Sequence, residues 1–419
     1  MRSRALWFPL LVGTLAAQQE SAAPTEHQAP REWLGGAPPW QWQHATGDWF
    51  GLRNTLESSG IEIAGGYTAD YTAPWSGNVS RRTSYPSLLD INVAFDLETL
   101  IGLPRTIAYV DAYRIGGDNP SDPSRVGDFQ YFSNLANPTP VQQVAEVWLE
   151  TWLCDQLRCK VGKVDFNSEF AFHEIGAAFI NSSAAIAPTI LYYPTYPNPA
   201  TSVNAFWVPN DRSYLGVGVY DGANAYGVQT GRLGPRGFVS NDDGNAYFLA
   251  VEGGIGWTGQ DRWGSGRVSV GAFHHTATFQ RFDGGLDRGS EGLWANFEQR
   301  VWRENPTEND NQGVGCFASY GVADQQVSYC RRSLAGGIEW TGALPGRDYD
   351  ILGFGAFFAD LSNITGAGTP QDELELELFY KVQLTPAVSL TPDLQWISNA
   401  GGQDVDDILV ALLRFDVTF

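Results

Sequence analysis

From Ile61 to the last residue the chain alternates apolar and polar positions with a period of two. Successive side chains on a strand point to opposite faces. "VALLRFDVTF" at 410–419 therefore sets Ala411, Leu413, Phe415, Val417 and Phe419 on one face, together with Leu409, and Arg414, Asp416 and Thr418 on the other. "DELELELFYKVQLT" repeats the pattern, with Leu374, Leu376, Leu378, Tyr380, Val382 and Leu384 against Glu373, Glu375, Glu377, Lys381 and Gln383. In "LWANFEQRVW" Leu293, Ala295, Phe297 and Val301 oppose Asn296, Glu298 and Arg300, and in "CKVGKVDFN" Val164 and Phe166 oppose Lys163, Asp165 and Asn167.

Segments of this kind, punctuated by Gly, Pro, Asn and Asp clusters, predict strands near 61–73, 87–98, 105–114, 142–153, 158–165, 202–209, 212–221, 244–258, 266–279, 292–303, 313–323, 332–341, 349–361, 372–384, 388–398 and 406–419. Their connections alternate too. Gaps such as 99–104, 154–157, 210–211, 259–265, 342–348 and 385–387 are short, whereas 74–86, 115–141, 166–201, 222–243 and 280–291 are long. Long loops at one end and tight turns at the other are the habit of an outer-membrane barrel. In a water-soluble barrel the apolar faces would point inward and leave most of so wide a lumen unfilled. Lipid outside and water inside satisfies both faces, and closure leaves no unpaired strand edge in hydrocarbon. The predicted fold is an all-β, sixteen-stranded antiparallel transmembrane β-barrel over 61–419.

The N-terminal part reads differently. Residues 1–17 run from basic (Arg2, Arg4) through apolar to small residues, the order of a signal peptide. Residues 18–46 form a Pro/Ala/Gln-rich leader, and "GDWFGLRNTLESSG" at 47–60, with Leu52 and Leu56 four apart and a closing Gly60, predicts one short helix, free to sit in the periplasm or to plug the lumen.

Composition agrees with this picture and narrows the function. Aromatic residues make up 13% and charged residues only 17%, against roughly 25% charged in ordinary soluble domains. The formal charge of −21 argues against nucleic acid as a partner, since that partner needs Lys and Arg at its phosphates. Cys154 and Cys159 flank a turn, and Cys316 and Cys330 lie symmetrically about Ala323. Two disulfides, Cys154 with Cys159 and Cys316 with Cys330, are expected in an oxidising compartment, unpaired thiols being the alternative.

Several stretches resemble a known family: "GDWFGLRNTLESSGIEI" at 47–63, "VGKVDFNSEFA" at 161–171, "FINSS" at 179–183, "GVGVYDGAN" at 216–224, "TGALPGRDYDILGFG" at 341–355 and "ELELFYKVQLTPAVSLTPDLQWI" at 375–397. In this order they resemble the carbohydrate-selective porins of Gram-negative outer membranes. The resemblance implies an outer-membrane barrel that passes mono- or oligosaccharides down their gradient, with surrounding lipid and the barrel-assembly machinery as partners and no cofactor. Phe419 resembles the terminal aromatic by which such barrels are recognised for assembly. The cysteine pairs and the leader depart from the family, leaving the choice between a single barrel and a homo-trimer open.

A diffusion pore needs hydrogen-bonding groups at a narrow place, not a nucleophile. The segment 166–201 is too long for a connector and is the candidate for the narrowing, or else a lid over the mouth; its Asn167, Asn181, Ser182 and Ser183 carry neutral donors and acceptors. The strand faces place Asp111, Glu146, Trp148, Lys163, Asp165, Glu298, Arg300, Glu339, Glu375, Glu377 and Arg414 on the inner wall, with Trp148 available to stack on a sugar ring. Net negative charge disfavours anionic solutes. Glu375 and Glu377 share a face as a glycosidase pair might, so an outer-membrane barrel enzyme acting on lipid or glycan is the rival reading; a secreted β-sandwich lectin is another. His274 and His275 point to opposite faces and cannot share a metal, "NDDGN" at 241–245 lacks the glutamate of a Ca loop, and the common hydrolase, zinc and nucleotide motifs are missing.

Overall fold

The computed structural model describes residues 38–190, 193–239, 246–259, 262–305 and 311–419. Sixteen strands follow one another: β1 Ile61–Pro74, β2 Ser87–Asp96, β3 Thr106–Gly116, β4 Val141–Cys154, β5 Leu157–Val164, β6 Ala200–Asn210, β7 Ser213–Asp221, β8 Tyr247–Trp257, β9 Gly266–Gln280, β10 Leu286–Arg303, β11 Gly313–Ala323, β12 Cys330–Thr341, β13 Ile351–Leu361, β14 Glu373–Thr385, β15 Val388–Ser398 and β16 Ile408–Thr418. Each pairs antiparallel with its sequence neighbours, and β1 pairs with β16 to close the barrel. Closure leaves no ladder edge exposed.

The alternation sorts the wall as the two solvents demand. On β14, Glu373, Glu375 and Glu377 are wholly buried inside while Leu378 is exposed outside. Val110, Val203, Val217, Leu249, Leu293 and Phe354 are among the apolar residues on the outer surface, a cost no water-soluble surface would carry over so large an area.

Two regions depart from expectation. The strand near 87–98 stops at Asp96, whose side chain accepts from the backbone N–H groups of Glu98 and Thr99 and caps a helix, Leu97–Ile101. With Leu52–Ser58 as α1, that helix is α2, and Pro235–Val239 is α3, so the chain has more than the one helix that the sequence suggested. The connection expected at 280–291 is also shorter, because β10 begins at Leu286, opposite Gln280. Gly289, at φ 90°, makes a bulge there that breaks the alternation and hides the strand in the sequence. Long connections are thus concentrated at 75–86, 117–140, 165–199 and 222–246.

Residues 1–37, with the signal-peptide reading, lie outside the described residues. The end of the predicted leader carries a 3-10 turn at Pro39–Gln41 and is tied to the short-turn end of the barrel. The Ala45 N–H donates to the Thr418 carbonyl at 2.8 Å, and the His44 ring bonds the Phe419 carbonyl at 3.0 Å. Arg53 of α1 donates to the carbonyls of Gly47 and Ile63 at 3.2 and 2.7 Å and stacks on Trp49. This helix therefore packs beside the start of β1.

The expected disulfides are absent: all four cysteines are free. Register is the reason. Cys159 lies opposite Thr151 and Cys154 opposite Leu157, three positions apart, or about 10 Å along the strand at ~3.3 Å per residue, beyond the reach of a disulfide. Cys316 pairs with Ile338, whereas Cys330 begins β12 opposite Leu361. Symmetry about a turn put each pair together only if the turn were centred there, and it is not.

The seam between β1 and β16 holds a buried ion pair. Arg414 donates from Nε and Nη2 to the two carboxylate oxygens of Asp70 at 2.7 and 2.8 Å, and Ser133 donates to the same carboxylate at 2.7 Å. Arg414→Ala leaves Asp70 buried without its cation, at a cost of about 3–5 kcal/mol. The compact barrel should unfold at a lower temperature in SDS, read as gel mobility against temperature; an unchanged transition would show that the seam does not depend on this pair.

Candidate functional site

β5 ends at Val164 and the chain turns into the lumen, because Asp165 and Glu146 gather the strand's last groups. The Asp165 N–H donates to Glu146 at 3.0 Å. Its carboxylate accepts from the Asn167 N–H at 2.8 Å, from the Thr195 hydroxyl at 2.5 Å and from the Tyr196 N–H at 2.8 Å. One carboxylate thus ties the outgoing and returning ends of the loop 165–199 together.

Past this clasp the loop buries aromatic side chains against the wall. Phe166 meets Phe248 edge-on at 5.1 Å, and Tyr220 and Trp294 at 5.7 and 6.0 Å; Phe170 lies 5.1 Å from Phe206. These rings belong to one apolar cluster that spans the inner side of β3–β10.

The loop then crosses to the far wall, where inward carboxylates take its backbone N–H groups in turn. Glu252 on β8 accepts from Ala171 at 2.9 Å. Glu298 on β10 accepts from Glu174 and Ile175 at 2.7 and 3.0 Å. Glu339 on β12 accepts from Ala178 at 3.4 Å. Glu377 on β14 accepts from Ile180 and Asn181 at 2.7 and 3.0 Å. Between these clamps Phe179 packs edge-on against Phe317, Phe357 and Phe379, 4.9–5.9 Å away. The loop 117–140 meets the same tip: Ser182 N–H donates to the Tyr131 carbonyl and Asn134 N–H to the Ile180 carbonyl, while Glu373 accepts from the N–H groups of Phe129 and Gln130 at 2.7 and 2.8 Å.

The predicted inner-wall residues fall into three groups. Glu146, Asp165, Glu298, Glu339, Glu375, Glu377 and Asn181 hold loops: Asn181 donates from its amide to Glu375 and to Gln395, and accepts from the Ser183 N–H. Arg414 closes the seam, and Asp111 lies buried in register with Glu146. Two assignments are corrected. Trp148 is buried, with Tyr109 stacked at 4.6 Å on one side and Lys160 Nζ 3.9 Å from the ring, so neither face is open to a sugar. Lys163 points outward: its register partner is exposed Val147, and Val164 and Phe166 occupy the inside. Those two residues are apolar because they face the loop's aromatic cluster, not lipid, which inverts the face that alternation alone suggested.

Half-buried groups on the inner side include Asn167 and Ser182 on the loop and Arg300, Glu339 and Lys381 on the wall. Arg300 and Lys381 both act electrostatically on Glu339. Sequence reasoning missed Arg267, which bonds Glu298 at 2.9 Å and the Phe172 carbonyl at 2.6 Å. It also missed the knot of Arg158, Lys160, Glu150 and Glu169, in which Lys160 lies 2.5 and 3.2 Å from the two glutamates. Burial pushes the Glu169 carboxyl up, but Lys160 and Arg158 together hold it below the usual range. Arg267 and Glu298, and Lys160 and Glu150, are register partners on adjacent strands, while Glu169 and the Phe172 carbonyl come from the loop, so spacing along one strand carries no signal of either set. Among the described residues no group of His, Cys, Asp and Glu fits a metal ion.

These contacts predict two outcomes. Removing both acceptors with Glu298→Ala and Glu377→Ala deletes the four hydrogen bonds from the loop's N–H groups, each worth about 1.5–3 kcal/mol, along with the Arg267–Glu298 bond, and should free the loop tip and raise single-channel conductance; unchanged conductance would mean the tip stays seated without them. His173 at the tip stacks on Phe317 at 4.4 Å and donates from Nδ1 to the Ile175 carbonyl at 2.7 Å. Burial pushes it down to about 4, so it is neutral in the seated loop and takes up a proton more readily once released. Seating should weaken as pH falls below the ordinary histidine value of 6.5, most of it lost by about pH 4, and the difference in open-channel noise between wild type and His173→Gln should follow that window.

The comparisons with known proteins bear on this geometry. Residues 81–419 match the family described as "Carbohydrate-selective porin, OprB family". The chain is 25% identical to Porin B of Pseudomonas aeruginosa over 426 residues, covering 89% of this chain and 90% of that protein, and 24% identical to the putative porin QuiX of Acinetobacter baylyi, covering 90% and 93%. Among solved structures, Pseudomonas putida OprB at high pH superimposes with a TM-score of 0.80 at 18% identity, over 90% of this chain and 99% of that one. The chain therefore belongs to the carbohydrate-selective porins of the OprB family: it is an outer-membrane diffusion channel for sugars, not an enzyme.

Proposed function

We propose that sugars pass down their concentration gradient through the gap between the pinned loop 165–199 and the wall of β10–β14, and that Asn167, Ser182, Arg300, Glu339 and Lys381 are the groups they meet there. The observation that carries this reading is the loop's inward course: it spans the lumen from β5 to β14 and leaves those side chains half-buried, while Glu298 and Glu377 are engaged with its backbone N–H groups. A hydroxyl, two cations, a carboxylate and an amide at one waist offer a neutral sugar both donors and acceptors without binding it so tightly that it stays.

The rest of the environment follows from the same reading. The apolar outer face is matched to the lipid of a Gram-negative outer membrane with the long connections on the outside, the barrel-assembly machinery inserts it, and a homo-trimer is the assembly to test by cross-linking in that membrane. Planar-bilayer conductance measured with and without monosaccharide tests the pore: sugar should reduce the current reversibly, and channels that sugar never blocks would refute the selectivity. Arg300→Ala should shift the reversal potential toward cations, because it removes a positive charge beside Glu339; an unchanged potential would take Arg300 out of the waist.

A further inference from the structure

β5 stops at Val164 while β4 continues above it. Their pairing begins at Val147 with Lys163, so residues 141–146 of β4 have no β5 neighbour. A turn from the connection 222–246, the 3-10 turn Thr230–Arg232, fills the notch. Lys163, on the outward side, donates from Nζ to the Gly231 carbonyl at 2.7 Å and also to the Val144 carbonyl. The Thr230 hydroxyl donates to the Asn198 carbonyl at 2.9 Å. Thr230 and Gly231 are buried by this seating, yet the Arg232 side chain that follows is exposed and makes no ion pair or hydrogen bond among the described residues.

A second arginine faces the same place. Arg114 stands between buried Tyr113 and Ile115, opposite Leu89 and Gln142, and so projects from the outer surface of β3 two residues before its end. It too is exposed and unpaired among the described residues. Arg114, Gln142 and Arg232 line one cavity of about 500 Å³ with Ile115, Pro140 and Val141, and among the described residues no carboxylate lines it.

The chain has 26 Lys and Arg against 47 Asp and Glu, and Arg158, Arg267, Arg331, Arg347 and Arg414 are paired with acids; Arg114 and Arg232 instead converge on one cavity. An arginine on the lipid side of a barrel is costly near the midplane and nearly free at the interface, the depth at which lipid phosphates lie. The planar guanidinium fork matches phosphate oxygens bidentately, and Gln142 adds an amide donor. We propose that this outward notch binds the phosphate-bearing headgroup of a lipid in the outer leaflet around the barrel. The inference rests on the outer-membrane reading, with the long connections on the outside.

The test uses the full-length protein in detergent, with lipid A carrying both phosphates, dephosphorylated lipid A and inorganic phosphate as probes, and retention through gel filtration followed by native mass spectrometry as readout. Phosphorylated lipid A should be retained, and Arg114→Gln and Arg232→Gln should each weaken retention about tenfold or more, as expected for loss of a charged hydrogen-bonding partner. Dephosphorylated lipid A should bind wild type no better than phosphorylated lipid binds the double variant. Equal retention by wild type and the double variant overturns the proposal, as does displacement of the lipid by inorganic phosphate at matching concentration, which would make this a site for free anions. If the double variant lacks the compact cold-gel form, the two single variants decide. Bilayer conductance of the variants should match wild type, since neither arginine faces the lumen; a protein that gives no channels at all would instead count against the porin reading.

Discussion

A segment of chain laid across the inside of a barrel must find partners for its backbone N–H groups, and in this protein carboxylates on the wall supply them. Glu252, Glu298, Glu339 and Glu377 project inward from alternate strands β8, β10, β12 and β14 and accept from successive N–H groups of the loop 165–199. The loop passes these strands in order, so acids on every second strand meet it at intervals along its own chain. An ionised acceptor makes a stronger hydrogen bond than a neutral one, and burying it without such donors would be expensive. The acids hold the loop, and the loop makes the buried acids tolerable.

Seating the loop also explains how so wide a cylinder is filled. Apolar rings from the loop meet inward rings from the wall, so much of the lumen is a packed core of the kind expected in a soluble domain. The outer surface faces lipid and carries apolar residues for a different reason. Many of the inner charges are therefore structural, and in the proposed pore half-buried Arg300, Glu339 and Lys381 set the polarity that a solute meets. A pore for neutral sugars is served by a short mixed-charge waist, not by a continuous acidic lining.

Much of the barrel was legible because lipid outside and polar groups inside impose a strict period of two, as in β14 and β16, and every strand but β10, which begins at Leu286 and not near 292, falls within a few residues of its predicted position. The bulge at Gly289 and the cap at Asp96 escaped because they are local exceptions to that period. The site was legible as a list of inward residues but not as an arrangement. Glu298 and Glu377 were read as lining water, although each is committed to backbone groups that only the folded loop brings near. Val164 and Lys163 show the same limit in reverse: alternation gives two faces, and at β5, whose inner face packs on the loop's aromatic rings, hydrophobicity no longer says which face is lipid. The cysteine pairing failed for want of register, which turns decide and spacing does not.

The central claim is that the loop 165–199 is held in the lumen by hydrogen bonds from its own backbone to wall carboxylates. Amide hydrogen exchange, read residue by residue on the folded barrel in detergent, addresses those bonds directly. The N–H groups of Glu174, Ile175, Ile180 and Asn181 should exchange slowly, close to the strand amides of β10 and β14, and far more slowly than those of the exposed turn at 283–285. Exchange of these four as fast as that turn would contradict the account, because the loop would then be in the lumen without being held there.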